Sequence, residues 1–197
     1  MDRKTALKHL QSDLLKGISE DNALYPHIIE LVGHFKGPLA FIKGQSLILK
    51  KDTHRNVFFI LKGAVVEYGR TELGGPMVPN GYTSEQWCMN LSVHSEKKAA
   101  DFSYKCLSET LVMKLDETYW DALLHQPIYD EIQFIINQRF LSQARDHHYR
   151  LVHLTPLEHF QWIKEKNPTL FEALTKDELA AILGISRATL FRMQKRP

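Results

Sequence analysis

The sequence predicts an α+β chain: a β-rich unit flanked by helices, then a compact helical unit at the end. Three observations carry this. Short β-branched and aromatic runs separated by turn residues fill residues 39–115. A helical pattern free of Gly and Pro then runs about 25 residues from Pro127 towards Thr155-Pro156. Finally, a two-helix signature opens at Thr175.

In order along the chain, Leu7, Leu10, Leu14 and Leu15 recur at helical spacing and predict an amphipathic helix over 3–16. Ile28, Ile29, Leu31, Val32 and Phe35 predict a second, ended by Gly37-Pro38. Strands are expected at 47–49, 57–61, 64–68 and 111–115, with turns such as Lys62-Gly63, Gly74-Gly75-Pro76 and Pro79-Asn80-Gly81 between them. Many short strands at close spacing imply an antiparallel barrel or sandwich. Asp116 is a candidate N-cap for a helix over 117–125, and Pro127 suits the first position of the long one. That helix carries an apolar stripe of Ile128, Ile132, Ile135, Ile136 and Phe140. Its length after a small barrel predicts a homodimer seam through 127–153, although the pattern is not a strict heptad. The tail is expected to hold helices at about 156–166, 168–173 extended toward 183, and 186–196. The division is therefore 1–126, 127–154 and 155–197.

The 197 residues are 44% hydrophobic and 24% charged, ordinary for a globular chain with a real core. No apolar run approaches the roughly 18 residues of a membrane span, no secretory h-region opens the chain, and a cytoplasmic protein without membrane partners is expected. Two cysteines, Cys88 and Cys106, build neither a disulfide framework nor a zinc site. The net charge of +2 is unevenly placed. Residues 1–150 hold 18 basic and 18 acidic side chains, whereas 151–197 hold 7 and 5. Arg187, Arg192, Lys195 and Arg196 crowd the last eleven residues with no acid among them, which suits contact with phosphates.

Thr175 followed by Glu178 is a capping-box signature. Leu179, Ala180, Ile182 and Leu183 supply a packed face, and Ala180 is small enough for a close helix crossing. Gly184 permits the positive φ of a tight turn, Ile185 plugs the space between helices, and Ser186 caps the next one. That second helix turns Leu190 and Met193 inward. Ser186, Arg187, Thr189 and Arg192 are left outward, with Lys195 and Arg196 at its end. An Arg here matches the forked acceptors of guanine, and hydroxyls reach phosphates or base edges. Double-stranded DNA is the expected partner.

With its β-rich front, long helix and the run Leu-Ala-Ala-Ile-Leu-Gly-Ile-Ser-Arg-Ala-Thr-Leu-Phe-Arg at 179–192, the chain resembles the cyclic-AMP receptor protein/Fnr (Crp/Fnr) family of transcription regulators, and most of all the branch found in Bacteroidetes. Phe41-Ile42-Lys43-Gly44 and Val57-Phe-Phe-Ile-Leu-Lys-Gly63 resemble the family's strand-turn pattern. The resemblance covers nearly the whole chain. It implies a cyclic-nucleotide-binding-like β-roll (a double-stranded β-helix), a dimerising helix and a winged-helix-like domain. It also implies base- and phosphate-contacting roles for Arg187 and Arg192, with RNA polymerase as a further partner. Ala188 stands where well-known members carry an acid, implying a different site preference, and a wing after Pro197 is expected to be missing or minimal.

Family members that bind cyclic nucleotide use a Gly-Glu pair and an Arg, because a cyclic phosphate wants amides and a guanidinium while the ribose wants a carboxylate. Here Met89-Asn90 replaces Gly-Glu, and Asp101 occupies the Arg position. An acid facing the anion's place disfavours cyclic AMP, although Lys97 and Lys98 lie near enough to anchor a phosphate. Trp87, Met89, Asn90, Asp101 and Phe102 complete the candidate pocket. A small-molecule effector, or none, is expected, and no cofactor or metal. Of His147, His148, His153 and His159 the first three lack i, i+4 metal-pair spacing, so exposed or core histidines are expected, and two cysteines are too few for an iron–sulfur cluster. A cupin-type enzyme would need a His-x-His with a following Glu, and only His54 stands on the candidate strand. The remaining alternatives are a cyclic-nucleotide-responsive regulator and a protein-interaction module with a degenerate helix-turn-helix.

Overall fold

The computed structural model describes residues 1–194 apart from Lys97 and Leu124. Two helices open the chain, α1 (Arg3–Leu14) and α2 (Tyr25–His34). Asp2 caps α1 by accepting from the Thr5 amide at 2.9 Å. The strands follow: β1 (Lys36–Phe41), β2 (Ser46–Ile48), β3 (Val57–Lys62), β4 (Val65–Arg70), β5 (Pro76–Met77), β6 (Gly81–Tyr82), β7 (Trp87–Met89), β8 (Ser103–Cys106) and β9 (Thr110–Leu115), with α3 (Leu91–Glu96) between β7 and β8. They form two antiparallel sheets, β1-β9-β3-β7 and β2-β8-β4-β5, with β6 paired to β4. The fold is α+β, with an antiparallel β-sandwich as its front half.

The four expected strands are present. Five more appear that the sequence did not announce. β1 runs through Gly37-Pro38, the dipeptide expected to end a helix; α2 has already ended at His34. Gly37 has φ +127°, and a Cβ there would lie 2.8 Å from the Val112 carbonyl oxygen, so only glycine lets β1 approach β9 so closely. β3 is buried over Val57–Leu61 and reads as a continuous apolar run because both its faces are covered.

α4 (Glu117–Leu123) leads to α5 (Tyr129–His153), then α6 (Pro156–Lys166), α7 (Pro168–Ala173), α8 (Lys176–Ile182) and α9 (Arg187–Gln194). Thr155 with Glu158 and Thr175 with Glu178 each form a complete capping box, at α6 and α8. Among the described residues the tail has four helices rather than three. The segment expected to extend from 168 toward 183 breaks at Leu174, whose extended backbone (ψ 134°) separates α7 from α8.

Two hydrophobic cores result. The first joins α1 and α2 to the strands and to one face of α5, through Ile132, Ile136 and Phe140. This corrects one expectation: the stripe predicted as a dimer seam is buried within the chain, because α5 lies along the β-sandwich. The second core crosses from the sandwich to the tail. Ala64, Val66, Val78 and Leu107 pack with Ile163, Leu170, Leu179, Ile182, Leu183 and Leu190. Among the described residues, no helix is long and apolar enough to cross a membrane.

Candidate nucleic-acid interface and sensor cavity

The α8–α9 pair is built as its sequence prescribes. The Glu178 amide donates to Thr175 Oγ1 at 3.2 Å, and Glu178 Oε2 accepts from the Thr175 amide at 3.0 Å. Gly184 sits at φ +68°. Its amide donates to the Ala181 carbonyl at 3.1 Å and that of Ile185 to Ala180 at 3.0 Å, a Schellman closure. Ser186 then caps α9, its Oγ accepting from the Thr189 amide at 3.1 Å. Leu190 is wholly buried, and Met193 packs against the same core. Truncating Leu190 to Ala would cost about 2–5 kcal/mol on the usual scale for buried leucines.

The outer face holds Ser186, Arg187 and Arg192, all exposed, with Thr189 half-buried. Arg187 pairs with Asp177 at 3.0 Å and lies over the Phe191 ring at 5.6 Å. Arg192 donates to Thr189 Oγ1 at 3.3 Å. The Arg187–Asp177 pair is exposed, and pairs of this kind are worth about 1 kcal/mol or less. Lys195 and Arg196, the other two candidates, lie outside the described residues. Arg192 also flanks a groove formed by Thr155, Pro156, Leu157, Thr189 and Met193, which sets the start of α6 beside α9.

In the β-sandwich, a cavity of about 180 Å³ is lined by Glu67, Asn90, Leu91, Ser92, Asp101, Phe102, Tyr104 and Phe140. Of the residues predicted for a pocket, Asn90, Asp101 and Phe102 line it. Trp87 and Met89 do not: both are in the first core. The Trp87 indole N–H donates to Asp13 at 2.7 Å, and its backbone is clasped by the Gln143 amide of α5 at 2.8 and 3.0 Å. These two belong to packing because β7 edges the first sheet and turns inward. Lys98 is exposed and its amide donates to the Ser92 carbonyl. Lys97 lies outside the described residues.

Glu67 was missed from sequence. It sits in β4, 36 positions before the cavity's next strand, β8, and only sheet pairing brings it opposite Tyr104. Its Oε1 is hydrogen-bonded by the Tyr82 hydroxyl and stands 3.1 Å from that of Tyr104, which donates to the Met89 carbonyl at 2.8 Å. Burial raises the Glu67 carboxyl above its ordinary range, partly offset by the two phenols. Its one legible signal was polarity in an otherwise apolar strand, Val65-Val66-Glu67-Tyr68.

The candidate histidines fall in two groups. His148 and His153 are exposed. His147 and His159 are buried at the junction of α5 and α6, with ring centroids 5.8 Å apart. Burial above all holds both near a pKa of about 4.

The sequence matches no protein-family model and no curated protein. Solved structures do match in fold. The c-di-GMP responsive global regulator CLP of Xanthomonas campestris aligns at TM-score 0.61 and 14% identity, covering 86% of this chain and 89% of that one. FixK2 of Bradyrhizobium japonicum aligns at 0.59 and 13%, covering 79% and 81%. A transcriptional regulator of the CRP family from Thermus thermophilus aligns at 0.60 and 10%, covering 79% and 82%. The architecture is thus that of Crp/Fnr regulators: β-sandwich, long helix and C-terminal helices in the same order.

Proposed function

We propose that this chain is a dimeric, sequence-specific DNA-binding transcription regulator whose sensor domain does not answer to cyclic AMP. The observation that carries it is the crossed pair α8–α9, closed on its inner side by Leu179, Ala180, Leu183 and Leu190 and presenting Ser186, Arg187 and Arg192 outward. The fold shared with CLP, FixK2 and the CRP-family protein supports that use of the tail. Residues 155–197 are its DNA-binding unit, and 127–154 joins two protomers. Dimerisation would use the outer face of α5, where Phe134, Leu141 and Val152 are exposed beside a groove lined by Gln138, Ala144, Arg145 and His148. Two such protomers would set their α9 helices about one DNA turn apart, roughly 34 Å.

The case against cyclic AMP rests on the cavity. Glu67 and Asp101 line it, no Arg or Lys is among its described lining residues, and its volume falls below the roughly 300–1,000 Å³ of ordinary small-molecule sites. Selection from a pool of random duplexes tests the proposal. Enrichment of an inverted repeat with half-sites about 10 base pairs apart is expected, and it is lost in Arg187→Ala. Recovery of the unselected pool after repeated rounds would defeat it.

A further inference from the structure

The β-sandwich cavity has chemistry opposite to that of an anion site. Glu67, half-buried, and Asp101, exposed, both line it. Leu91, Ser92 and the rings of Phe102, Tyr104 and Phe140 also line it, and aromatic faces attract cations. Asn90 also lines the cavity, is 6% exposed, and among the described residues its amide nitrogen finds no hydrogen-bond partner, although buried donors are nearly always satisfied. The space equals about six waters at about 30 Å³ each.

We infer that this cavity binds a small organic amine: an ammonium group paired with Glu67 and Asp101 among the aromatic rings, and an acceptor oxygen supplied to Asn90. The inference rests on reading the β-sandwich as the sensor domain. The chemistry is self-consistent. Glu67 is half-buried and held by hydroxyls alone, and an entering ammonium would give it a partner of opposite charge. A nucleotide would instead bring a phosphate against two carboxyls, in a space below the roughly 300–1,000 Å³ of ordinary small-molecule sites. Occupancy would be felt outside the cavity. Phe140 belongs to α5 and stacks on Tyr82, and Tyr82 hydrogen-bonds Glu67. The neighbouring Gly81 lies against Leu170 and Ile182 of the tail.

Isothermal titration of the full chain with ethanolamine, ethylene glycol, cyclic AMP and inorganic phosphate tests this. Ethanolamine and ethylene glycol have equal numbers of heavy atoms and differ in the charged group. The expected result is saturable binding of ethanolamine alone, weakened at least tenfold in Glu67→Gln, with thermal unfolding of the variant still cooperative. Should Glu67→Gln fail to fold, Asp101→Asn, at an exposed position, is expected to weaken ethanolamine severalfold. Equal binding of ethylene glycol, tighter binding of cyclic AMP or phosphate, unchanged affinity in the variants, or no ethanolamine binding each overturns the inference. Duplex binding is followed separately, without amine, so loss of DNA binding with amine binding intact would sink only the regulator assignment.

Discussion

At the residue scale, the side chain that most constrains the proposed interface is Asp177. It holds Arg187 at 3.0 Å, on an exposed face, in competition with any duplex. Releasing Arg187 costs no more than about 1 kcal/mol. Asp177→Asn is therefore expected to tighten duplex binding by up to about fivefold, measured by fluorescence anisotropy, and unchanged or weaker binding would show that the pair positions Arg187 instead. The α8–α9 geometry was legible because it depends on local rules: a cap, a helical period, a glycine in the αL region. Glu67 was not, because its importance arises from pairing between β4 and β8. Its polarity within the apolar run Val65-Val66-Glu67 marks it as unusual but does not place it at a cavity.

At the scale of the element, α5 has two apolar faces with different destinations. Ile132, Ile136 and Phe140 are buried against the sandwich, whereas Phe134, Leu141 and Val152 are 62%, 44% and 60% exposed. Periodicity over 127–153 announced a helix with excess apolar surface. It could not tell which part of that surface packs on the chain's own sheet, since both faces are apolar. The double variant Phe134→Asp/Leu141→Asp is expected to sediment as a folded monomer, while Ile136→Asp loses cooperative unfolding. If the double variant instead sediments like the parent, the seam lies elsewhere. The strands show the converse. β3 and β9 are long enough to stand out, but β5, β6 and β7 are two or three residues each and owe their pairing to β3 and β4.

At the scale of the whole molecule, the tail does not hang free of the sandwich. Leu170, Leu179 and Ile182 share a core with Val66 and Val78, Lys105 reaches Glu178 at 3.6 Å, and Thr83 donates to Asn167 at 2.8 Å. His147 and His159 are buried where α5 meets α6, with Arg150 nearby and its guanidinium 3.8 Å from the Trp162 ring. Both imidazoles stay neutral in the folded chain down to a pKa of about 4, whereas the unfolded chain takes up those protons near 6.5. Between these values the unfolded state binds more protons, so stability falls as pH drops from 6.5 towards 4. Thermal melts over that range are expected to show a declining midpoint, with a shallower decline in His159→Gln. A midpoint independent of pH in the parent would mean that neither ring is desolvated at this junction.

The measurement that bears most directly on the central claim is the salt dependence of binding to a random-sequence duplex, followed by anisotropy from 50 to about 300 mM KCl. Contacts to several phosphates release counterions, so log K should fall linearly with log salt. Arg187→Ala with Arg192→Ala should lower both affinity and slope. Binding that is absent, indifferent to salt, or unaltered in the double variant would contradict a tail that meets DNA through α9.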